Sequence, residues 1–579
     1  MGIPKGSLDS LYLPGTQTAI LDKPAPGCQP KTLIESIEYI NLVGIRRSVA
    51  GWGATLGGRT IVPEVADLEE EGQGQEQNEA CGHDQAGLPE PGLPERRLAA
   101  DPDILQDLAA LGEPGGHNRE GEAVGQVPHL DQVRVRLLKS ELGIADLDAP
   151  FFGLLEQALV VVEGRGEILI DIEGKEYIDG LSSLWNVNAG HGRKELADAA
   201  AAQMAKLAFA SAYSGATNIP AIKLAEKLMQ IAYGNTSAVY FTTAGAESNE
   251  SAFKLARYYW KTQGKPEKVK IFSRTHAYHG VTMAAMSATG MAAYHKMFGP
   301  LVPNFLQAPA PYPYRWPGND DPGTGAADAL EAMILKEGPD TVAAVIAEPV
   351  MGAGGVIVPP DSYFPRLRQI CDRHNVLLIT DEVITGFGRT GRWFALGHWG
   401  VEPDLTSFAK GVTSAYLPLG GVLISKRVHR AILEAPADQK FMHAATYSGH
   451  PVCSAVGLRN IEIIEQDGLV ERAGEMGKRL LAGLEGLRDF QAVGDVRGLG
   501  MMCGVELVED RGSKKPAIGL GAKVAKAALD RGVLIRIRGG SADPAIGDTI
   551  CVAPPLMTPV RSINRIVSVL GEALAEATR

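Results

Sequence analysis

The sequence predicts an α/β protein with a large, mostly parallel central sheet covered by helices and a smaller α+β domain. From about Leu159 onward, short apolar runs end in polar residues and are followed by helical stretches. Runs without polar alternation are typical of strands that are buried on both faces of a parallel sheet. A final block, 463–579, has strand and helix patterns of its own. The apolar runs of the large domain are Ala238–Thr242, Val269–Phe272, Val342–Ala347 and Val376–Thr380.

Helical patterns separate these strands. Their apolar residues recur at the three- and four-residue spacing of a helix with one buried face. The large-sheet region predicts helices at Lys194–Lys206, Ile222–Ala232, Ser251–Lys261 and Tyr363–His374. The final block predicts strands at Leu499–Val508 and Val533–Ile537 and a helix at Val560–Ala577.

The first 127 residues differ from the rest. Between positions 64 and 127 there are 16 acidic and three basic residues, a net charge of −13 within a total of −12. Such a segment, rich in Glu, Gln, Gly and Pro, cannot bury enough apolar surface to offset its ordering entropy, and we expect it to be largely disordered. It is either an acidic regulatory tail or a linker or upstream stretch outside the mature protein. We expect deletion of residues 1–120 to leave folding and activity largely intact.

Composition excludes several classes of protein. The body of the chain is nearly neutral and has no basic stripe, which argues against a nucleic acid or an anionic membrane as partner. The longest apolar stretch, Val342–Pro359, contains Glu348 and is therefore not a membrane span. No secretory signal pattern opens the chain. Six scattered cysteines without a CxxC pair favour a reducing cytoplasm and no zinc ribbon.

Small residues follow the predicted strand at Ala238–Thr242. Ala244, Gly245 and Ala246 stand at the turn into a helix. Such a turn lets backbone N–H groups approach a phosphate where the helix dipole favours an anion. Many strand-to-helix turns look alike, so a phosphate site and an ordinary turn both stay open on this segment alone.

Asp381 and Lys410 add two further chemical features. A carboxylate such as Asp381 at the end of a buried strand is costly unless it is paired, either with a cationic ring nitrogen or with backbone or Arg donors. Lys410 lies between two apolar stretches, where an amine can become a Schiff-base nucleophile, although most lysines are surface residues. Together with the phosphate cradle, these are the parts that pyridoxal phosphate (PLP) needs.

A series of motifs, in order over about 159–579, resembles the class III PLP-dependent aminotransferases of fold type I. The resemblance implies a PLP-binding large domain at 201–462 and a small domain built from 128–200 and 463–579. The extension 1–127 would lie outside both domains. The motifs are Phe241–Leu255, Tyr278–Gly280, Glu348–Val350, Asp381–Gly391, Ala409–Gly411 and Thr446–Pro451.

The resemblance also implies a role for each matching residue. Lys410 would link covalently to PLP and carry the proton, and Asp381 would pair with the ring nitrogen. Ala246 stands where many members carry Ser, which removes one hydroxyl contact to the phosphate. Thr446 would reach the phosphate of the partner subunit's cofactor, which implies a homodimer with shared sites. The remaining cofactor contacts would be Gly245 and Ala246 on the phosphate, Tyr278 stacked on the ring and Val383 on the opposite ring face.

The segment around Trp185 resembles the branch that uses ω-amino acids or amines with pyruvate, in which this tryptophan lines the substrate pocket. A purely structural tryptophan is the alternative. Arg536 and Arg538 alternate on a predicted strand and so share a face; one of them would bind a substrate carboxylate. Family members often carry a His-Pro-Phe/Tyr motif shortly before the stretch that matches Val160–Gly164, and here Ala149-Pro150-Phe151 lacks the histidine.

Two other motifs carry less weight. The segment Gly386–Gly391 fits the dinucleotide pattern G-x-G-x-x-G, but Gly397 and Gly400 break any helix after it, so we do not expect NAD. His276 and His279 resemble a metal pair without a nearby carboxylate, so we expect no metal.

The expected reaction is a ping-pong transfer from an amine donor to a keto acid, with pyruvate as the expected acceptor. Taurine, β-alanine, a diamine or an arylalkyl amine would all suit as donors. The alternatives are another PLP reaction on the same fold (decarboxylation, amino-group migration or elimination) and a catalytically inactive binding protein.

Overall fold

Three β-sheets form the framework of the computed structural model, which describes residues 18–19, 159–212, 215–540 and 545–579. The predicted extension 1–127 otherwise lies outside the described residues, as do Pro150 and Phe151. In chain order the strands are β1 (Thr18–Ala19), β2 (Val161–Arg165), β3 (Ile168–Asp171), β4 (Glu176–Asp179), β5 (Thr236–Thr242), β6 (Lys270–Arg274), β7 (Phe305–Ala308), β8 (Val342–Ala347), β9 (Leu377–Asp381), β10 (Leu405–Phe408), β11 (Gly420–Ser425), β12 (Val493–Gly498), β13 (Cys503–Asp510), β14 (Lys515–Pro516), β15 (Val533–Leu534), β16 (Arg536–Arg538) and β17 (Thr549–Val552).

The largest sheet has the strand order β1-β5-β11-β10-β9-β8-β6-β7. Strands β10, β9, β8, β6 and β7 are parallel, and β11 is antiparallel to both β10 and β5. All six residues of β8 are buried, as its unbroken apolar sequence predicts. The prediction of a large, mostly parallel sheet is confirmed, and β5, β6, β8 and β9 begin and end within two residues of the predicted runs.

Helices cover this sheet and complete the core. The amphipathic helix that precedes β9, for example, buries two aromatic residues, Tyr363 and Phe364. None of the described helices is long and apolar enough to cross a membrane. The helices are α1 (Lys194–Lys206), α2 (Ile219–Ile231), α3 (Gly245–Thr262), α4 (Met283–Ala288), α5 (Pro322–Glu337), α6 (Tyr363–Arg373), α7 (Lys426–Leu433), α8 (Pro451–Gln466), α9 (Leu469–Glu485), α10 (Leu520–Asp530) and α11 (Val560–Ala577).

Two smaller sheets and their helices form the α+β part. One sheet has the order β12-β13-β17-β16, with β14 paired to β13, and the other has the order β15-β4-β3-β2. The predicted strand Val533–Ile537 is therefore wrong as a single element. Strand β15 pairs with β4 and β16 pairs with β17, so the chain passes from one sheet to the other at Ile535.

The topology brings three strand ends to one edge of the large sheet. Strands β9 and β10 are parallel, with Ser407 in register with Asp381. Strand β5 has the same direction, because both β5 and β10 are antiparallel to β11. The residues that follow β5, β9 and β10 therefore meet where ligands bind in open α/β sheets. These residues include Gly245, Asp381 and Lys410.

Candidate active site

Lys410 lies just beyond β10, at the start of a short 3-10 turn that ends at Val412. Its backbone is left-handed, with φ 48°, and its side chain is partly buried. Burial is the main cause that lowers the pKa of Lys410 to about 8. The carboxylates of Asp381 and Glu348 oppose that effect, and the cation of Arg536 adds to it. About a tenth of this amine is therefore unprotonated at pH 7, far more than for an ordinary lysine, and the neutral amine is what a nucleophile or a base requires.

Asp381 is the last residue of β9 and is 4% exposed. Its Oδ2 atom accepts hydrogen bonds from Asn249 Nδ2 (2.8 Å) and His279 Nδ1 (2.7 Å), and its Oδ1 atom accepts one from the backbone N–H of Val383 (3.1 Å). An ionised carboxylate only accepts hydrogen bonds, so Nδ1 of His279 carries the proton. Three donors thus fix the orientation of this buried carboxylate.

The N-terminus of α3 lies beside Val383. A Cβ atom on Gly245 would come within 2.8 Å of Val383 Cγ1, so only glycine lets the helix start this close. The first N–H groups of a helix have no intrahelical partner, and the helix dipole makes this end attractive to an anion. Ala246 presents a methyl group here, against Gly280, where a Cβ atom would meet Ala246 Cβ at 2.6 Å.

Tyr278 lies on the segment after β6 and is partly buried. Its backbone N–H donates to Glu348 Oε1 at 3.0 Å, and its ring packs edge-on against Tyr294 with centroids 5.5 Å apart. Burial is the main cause that raises the pKa of Tyr278, so the phenol is neutral at physiological pH. The backbone of Tyr278 is fixed by that hydrogen bond beside Glu348, one of the carboxylates of the site.

Trp185 and Arg536 lie next to Lys410. Lys410 Nζ is 5.9 Å from the centroid of the Trp185 ring, and Arg536 Cζ is 5.1 Å from the same centroid. Trp185 is 2% exposed. Arg538 has a different environment, because it is buried and its Nη1 atom donates to the carbonyl of Gly547 at 3.1 Å. Of the two arginines, the one beside the amine is Arg536.

Thr446 lies on the surface of the single chain. It is exposed, and so is Tyr447, which is 58% exposed. No hydrogen bond, ion pair or ring contact among the described residues joins Thr446 to Lys410.

Several supporting residues received no role from the sequence. Asn249 and His279 fix Asp381, and Glu348 accepts from the backbone of Tyr278 and Gly352. Burial raises the pKa of Glu348. The rule that functional side chains follow buried parallel strands could have found Glu348, because it comes directly after β8. Asn249 is four residues after Gly245 on α3, a spacing that places two residues on one helix face.

Neither the glycine-rich motif nor the histidine pair forms the site that its pattern suggests. The segment Gly386–Gly391 forms consecutive turns followed by a short 3-10 helix, Ala395–Trp399, so it does not open a dinucleotide-binding helix. His279 is bonded to Asp381. Within the described ranges, no three His, Cys, Asp or Glu side chains come together as a metal site.

The site residues present the chemistry that PLP requires. Gly245 has no side chain and so leaves the N-terminus of α3 accessible to the phosphate. Asp381 offers a buried carboxylate as the partner of a protonated ring nitrogen. Lys410 offers an amine of lowered pKa, and its Nζ atom makes no hydrogen bond to any residue that the structure describes. The donor set therefore fits the group.

Comparison with known proteins agrees with this chemistry. The family model for class III aminotransferases matches residues 154–574. The taurine–pyruvate aminotransferase of Bilophila wadsworthia is 39% identical over 421 residues, which cover 72% of this chain and 91% of that protein. The putrescine–pyruvate aminotransferase of Pseudomonas aeruginosa is 36% identical over 423 residues, which cover 72% of this chain and 90% of that protein.

A solved structure shows the same fold. An (S)-enantioselective omega-transaminase from Thermomicrobium roseum is 42% identical, with a TM-score of 0.73 over 78% of this chain and 99% of that chain. The fold and site define a PLP-dependent transferase of fold type I. The chain belongs to the class III aminotransferases, and it is an enzyme that uses PLP.

Proposed function

We propose that this enzyme moves an amino group from a primary amine or an ω-amino acid to a keto acid, with pyruvate as acceptor, in a ping-pong cycle. The observation that carries the proposal is the grouping of Lys410, Trp185 and Arg536. An apolar ring beside the reactive amine suits the carbon chain of an amine donor. A cation on the same ring suits the carboxylate of a keto acid.

The residues of the chain divide the work of this reaction. Bound PLP supplies an electron sink for the bond that breaks at the substrate carbon. Gly245 and Ala246 would hold the phosphate, Tyr278 and Val383 would cover the two faces of the ring, and Asp381 would stabilise the positive charge of the ring nitrogen. Lys410 Nζ would carry a proton from the substrate carbon to the cofactor carbon, as its lowered pKa allows.

Arg536 and Trp185 select the substrate in this proposal. The guanidinium of Arg536 pairs with a carboxylate when a keto acid or an ω-amino acid is bound. The cation remains on the face of the tryptophan when an uncharged amine is bound. Both relatives named above use pyruvate, which supports pyruvate as the acceptor here.

A homodimer completes the site in this proposal, with Thr446 contributed to the partner's phosphate. Support comes from large apolar side chains that are exposed in the single chain, several of them in the segments around Thr446 and after Tyr278. We expect Thr446→Ala to weaken PLP binding while the dimer persists in size-exclusion chromatography. The exposed apolar residues include Phe209, Val281, Met283, Met297, Phe298, Met442 and Tyr447.

We place the enzyme in the cytoplasm, which agrees with its four described cysteines being free.

Borohydride reduction of the PLP-loaded enzyme tests the core of the proposal. The reduced link should be found by peptide mapping at Lys410 and nowhere else. Lys410→Ala should give no labelled peptide, whereas Lys523→Ala, which changes an exposed lysine, should be labelled as the wild type is. A label at another lysine would overturn the assignment.

A donor panel tests the reaction. Taurine, β-alanine, putrescine and an arylalkyl amine are each assayed with pyruvate and with 2-oxoglutarate. Transfer requires one carbonyl product for each newly aminated keto acid. Release of carbon dioxide or ammonia without an aminated acceptor would identify another PLP reaction. A protein that takes up no PLP would indicate a binding role instead.

A further inference from the structure

A buried arginine joins the two ends of the segment that carries Trp185. The side chain of Arg389 is fully buried. Its Nη2 atom donates to Ser182 Oγ at 2.8 Å and to Asn188 Oδ1 at 2.7 Å, and its Nη1 atom donates to the carbonyl of Pro554 at 2.6 Å. Ser182 Oγ in turn donates to the carbonyl of Ala553 at 2.6 Å. One guanidinium thus closes the segment 182–188 and attaches it to the residues after β17.

This segment has an unfavourable backbone conformation. Ser182, Ser183 and Trp185 have φ values of 51°, 56° and 55°, in the left-handed region that is costly for residues other than glycine. Asp179 holds the first turn by accepting from the backbone N–H of Ser183 at 2.7 and 2.9 Å. Backbone hydrogen bonds within the segment also hold it, and Arg389 adds side-chain hydrogen bonds to both of its ends. The conformation that turns the Trp185 ring inward therefore depends in part on Arg389.

The same segment contacts the turn that begins at Lys410. Asn188 Nδ2 donates to the carbonyl of Phe387 at 2.9 Å. A Cβ atom on Gly411 would come within 2.5 Å of that same nitrogen, so the two stretches of chain are in direct contact. The Trp185 ring lies 5.9 Å from Lys410 Nζ. A shift of the segment would therefore change the space between ring and amine.

We propose that Arg389 is a positioning residue that fixes Trp185 against Lys410 and so limits the size of the amine that the site accepts. The proposal rests on the proposed function, because the space beside Lys410 selects an amine only if an amine reacts there. Arg389 acts through Ser182 and Asn188.

The test uses two variants and the fluorescence of Trp185 in the PLP-free protein. Arg389→Lys keeps the charge and loses the fork of donors, and Ser182→Ala removes one hydroxyl and no charge. The signal of Trp185 is isolated from the other five tryptophans by subtracting the spectrum of a Trp185→Phe counterpart of each protein. In both variants we expect the Trp185 emission to shift to the red and its quenching by acrylamide to increase.

The PLP-loaded variants then give a second readout. In both variants we expect the KM of a bulky arylalkyl amine to fall by about tenfold relative to the KM of a small amine. A displacement of Trp185 by about 1 Å is enough to change which substrates fit beside Lys410. The kcat with the small amine should change less. A loss of stability alone would change the kinetic constants of the bulky and the small amine by the same factor.

Arg511→Lys is the matched control. The Nε atom of Arg511 donates to the carbonyl of Val493 at 2.8 Å, within the small domain, so this variant also weakens an arginine bonded to backbone carbonyls. It should leave the Trp185 spectrum and donor preference unchanged. The proposal would be overturned if Arg511→Lys showed the same changes. It would also be overturned if Ser182→Ala kept the wild-type Trp185 spectrum or the wild-type donor preference. If Arg389→Lys fails to fold, Ser182→Ala decides the outcome. Absence of PLP capture at Lys410 would instead overturn the proposed function, and the fluorescence result would stand.

Discussion

His279 and Asp381 form a buried pair in which the imidazole Nδ1 atom donates to a carboxylate oxygen at 2.7 Å. The two residues lie on different segments, one after β6 and the other at the end of β9. Because Asn249 donates to the same oxygen at 2.8 Å, the carboxylate cannot rotate without breaking two hydrogen bonds. Its orientation is set before a cofactor binds, which leads to the first prediction.

Asp381→Asn should bind PLP and lose turnover by about 100- to 1,000-fold, because a neutral amide cannot stabilise a protonated ring nitrogen. His279→Gln should cost about tenfold, since it removes one hydrogen bond to a charged group and leaves the charge. Steady-state kinetics measure both, and cofactor absorbance confirms loading. Turnover near the wild-type value in Asp381→Asn would contradict the role of the carboxylate.

The rate of PLP capture by the cofactor-free enzyme should depend on pH. The pKa of Lys410 is lowered to about 8, so the reactive neutral amine is the minor form below pH 8 and the major form above it. The capture rate should therefore rise about tenfold per pH unit between pH 6 and 7.5 and level off above pH 8. Stopped-flow absorbance measures this. A profile that rises until pH 10.5 would show that the lysine is not perturbed.

Lys410→Met should stabilise the cofactor-free protein. The pKa of Lys410 is lowered from 10.5 to about 8, so the folded state disfavours the charged amine. That cost is fully present below pH 8 and disappears as pH rises to 10.5. We expect a gain of about 1 to 3 kcal/mol at pH 7 that shrinks towards pH 10.5. Urea unfolding at both pH values measures it, with Lys523→Met as the exposed control. An equal gain at both pH values would contradict the explanation.

Ala246→Ser should tighten PLP binding. The serine hydroxyl adds a donor at the N-terminus of α3, and its Cβ atom takes the place of the alanine methyl already packed beside Gly280. We expect a gain of about 1 kcal/mol, or about fivefold in Kd. Equilibrium dialysis of PLP measures it. Ala522→Ser, at an exposed position on α10 away from the turn after β5, is the control. Weaker binding in Ala246→Ser would show that the alanine is required for packing.

The sequence predicted most of the large sheet, because buried parallel strands have unbroken apolar runs. Strand β8 and helices α1 and α11 begin and end at the predicted residues. The small domain was harder, because its strands are short and pair with distant segments. Nothing local distinguishes Leu534, which pairs with β4, from Arg536, which pairs with β17.

The site shows the same limit. Lys410 and Asp381 could be proposed from their places after buried runs, whereas the choice between Arg536 and Arg538 depends on how the small domain folds over the large sheet. Strand alternation puts both arginines on one face. Only the tertiary structure shows that Arg536 stacks on Trp185 and that Arg538 bonds to Gly547. The partners of Asp381 were missed because three separate segments supply them.

Strand β11, which is antiparallel to both of its neighbours, has a further consequence for the evolution and engineering of this enzyme. It separates β5 from β10, so the phosphate end and the amine end of the site are two interstrand steps apart, about 10 Å. Backbone hydrogen bonding fixes that dimension, and loop substitutions cannot change it. Changes in the range of amines accepted should therefore arise in the segment 182–188 and in β16, while the residues that bind PLP stay the same.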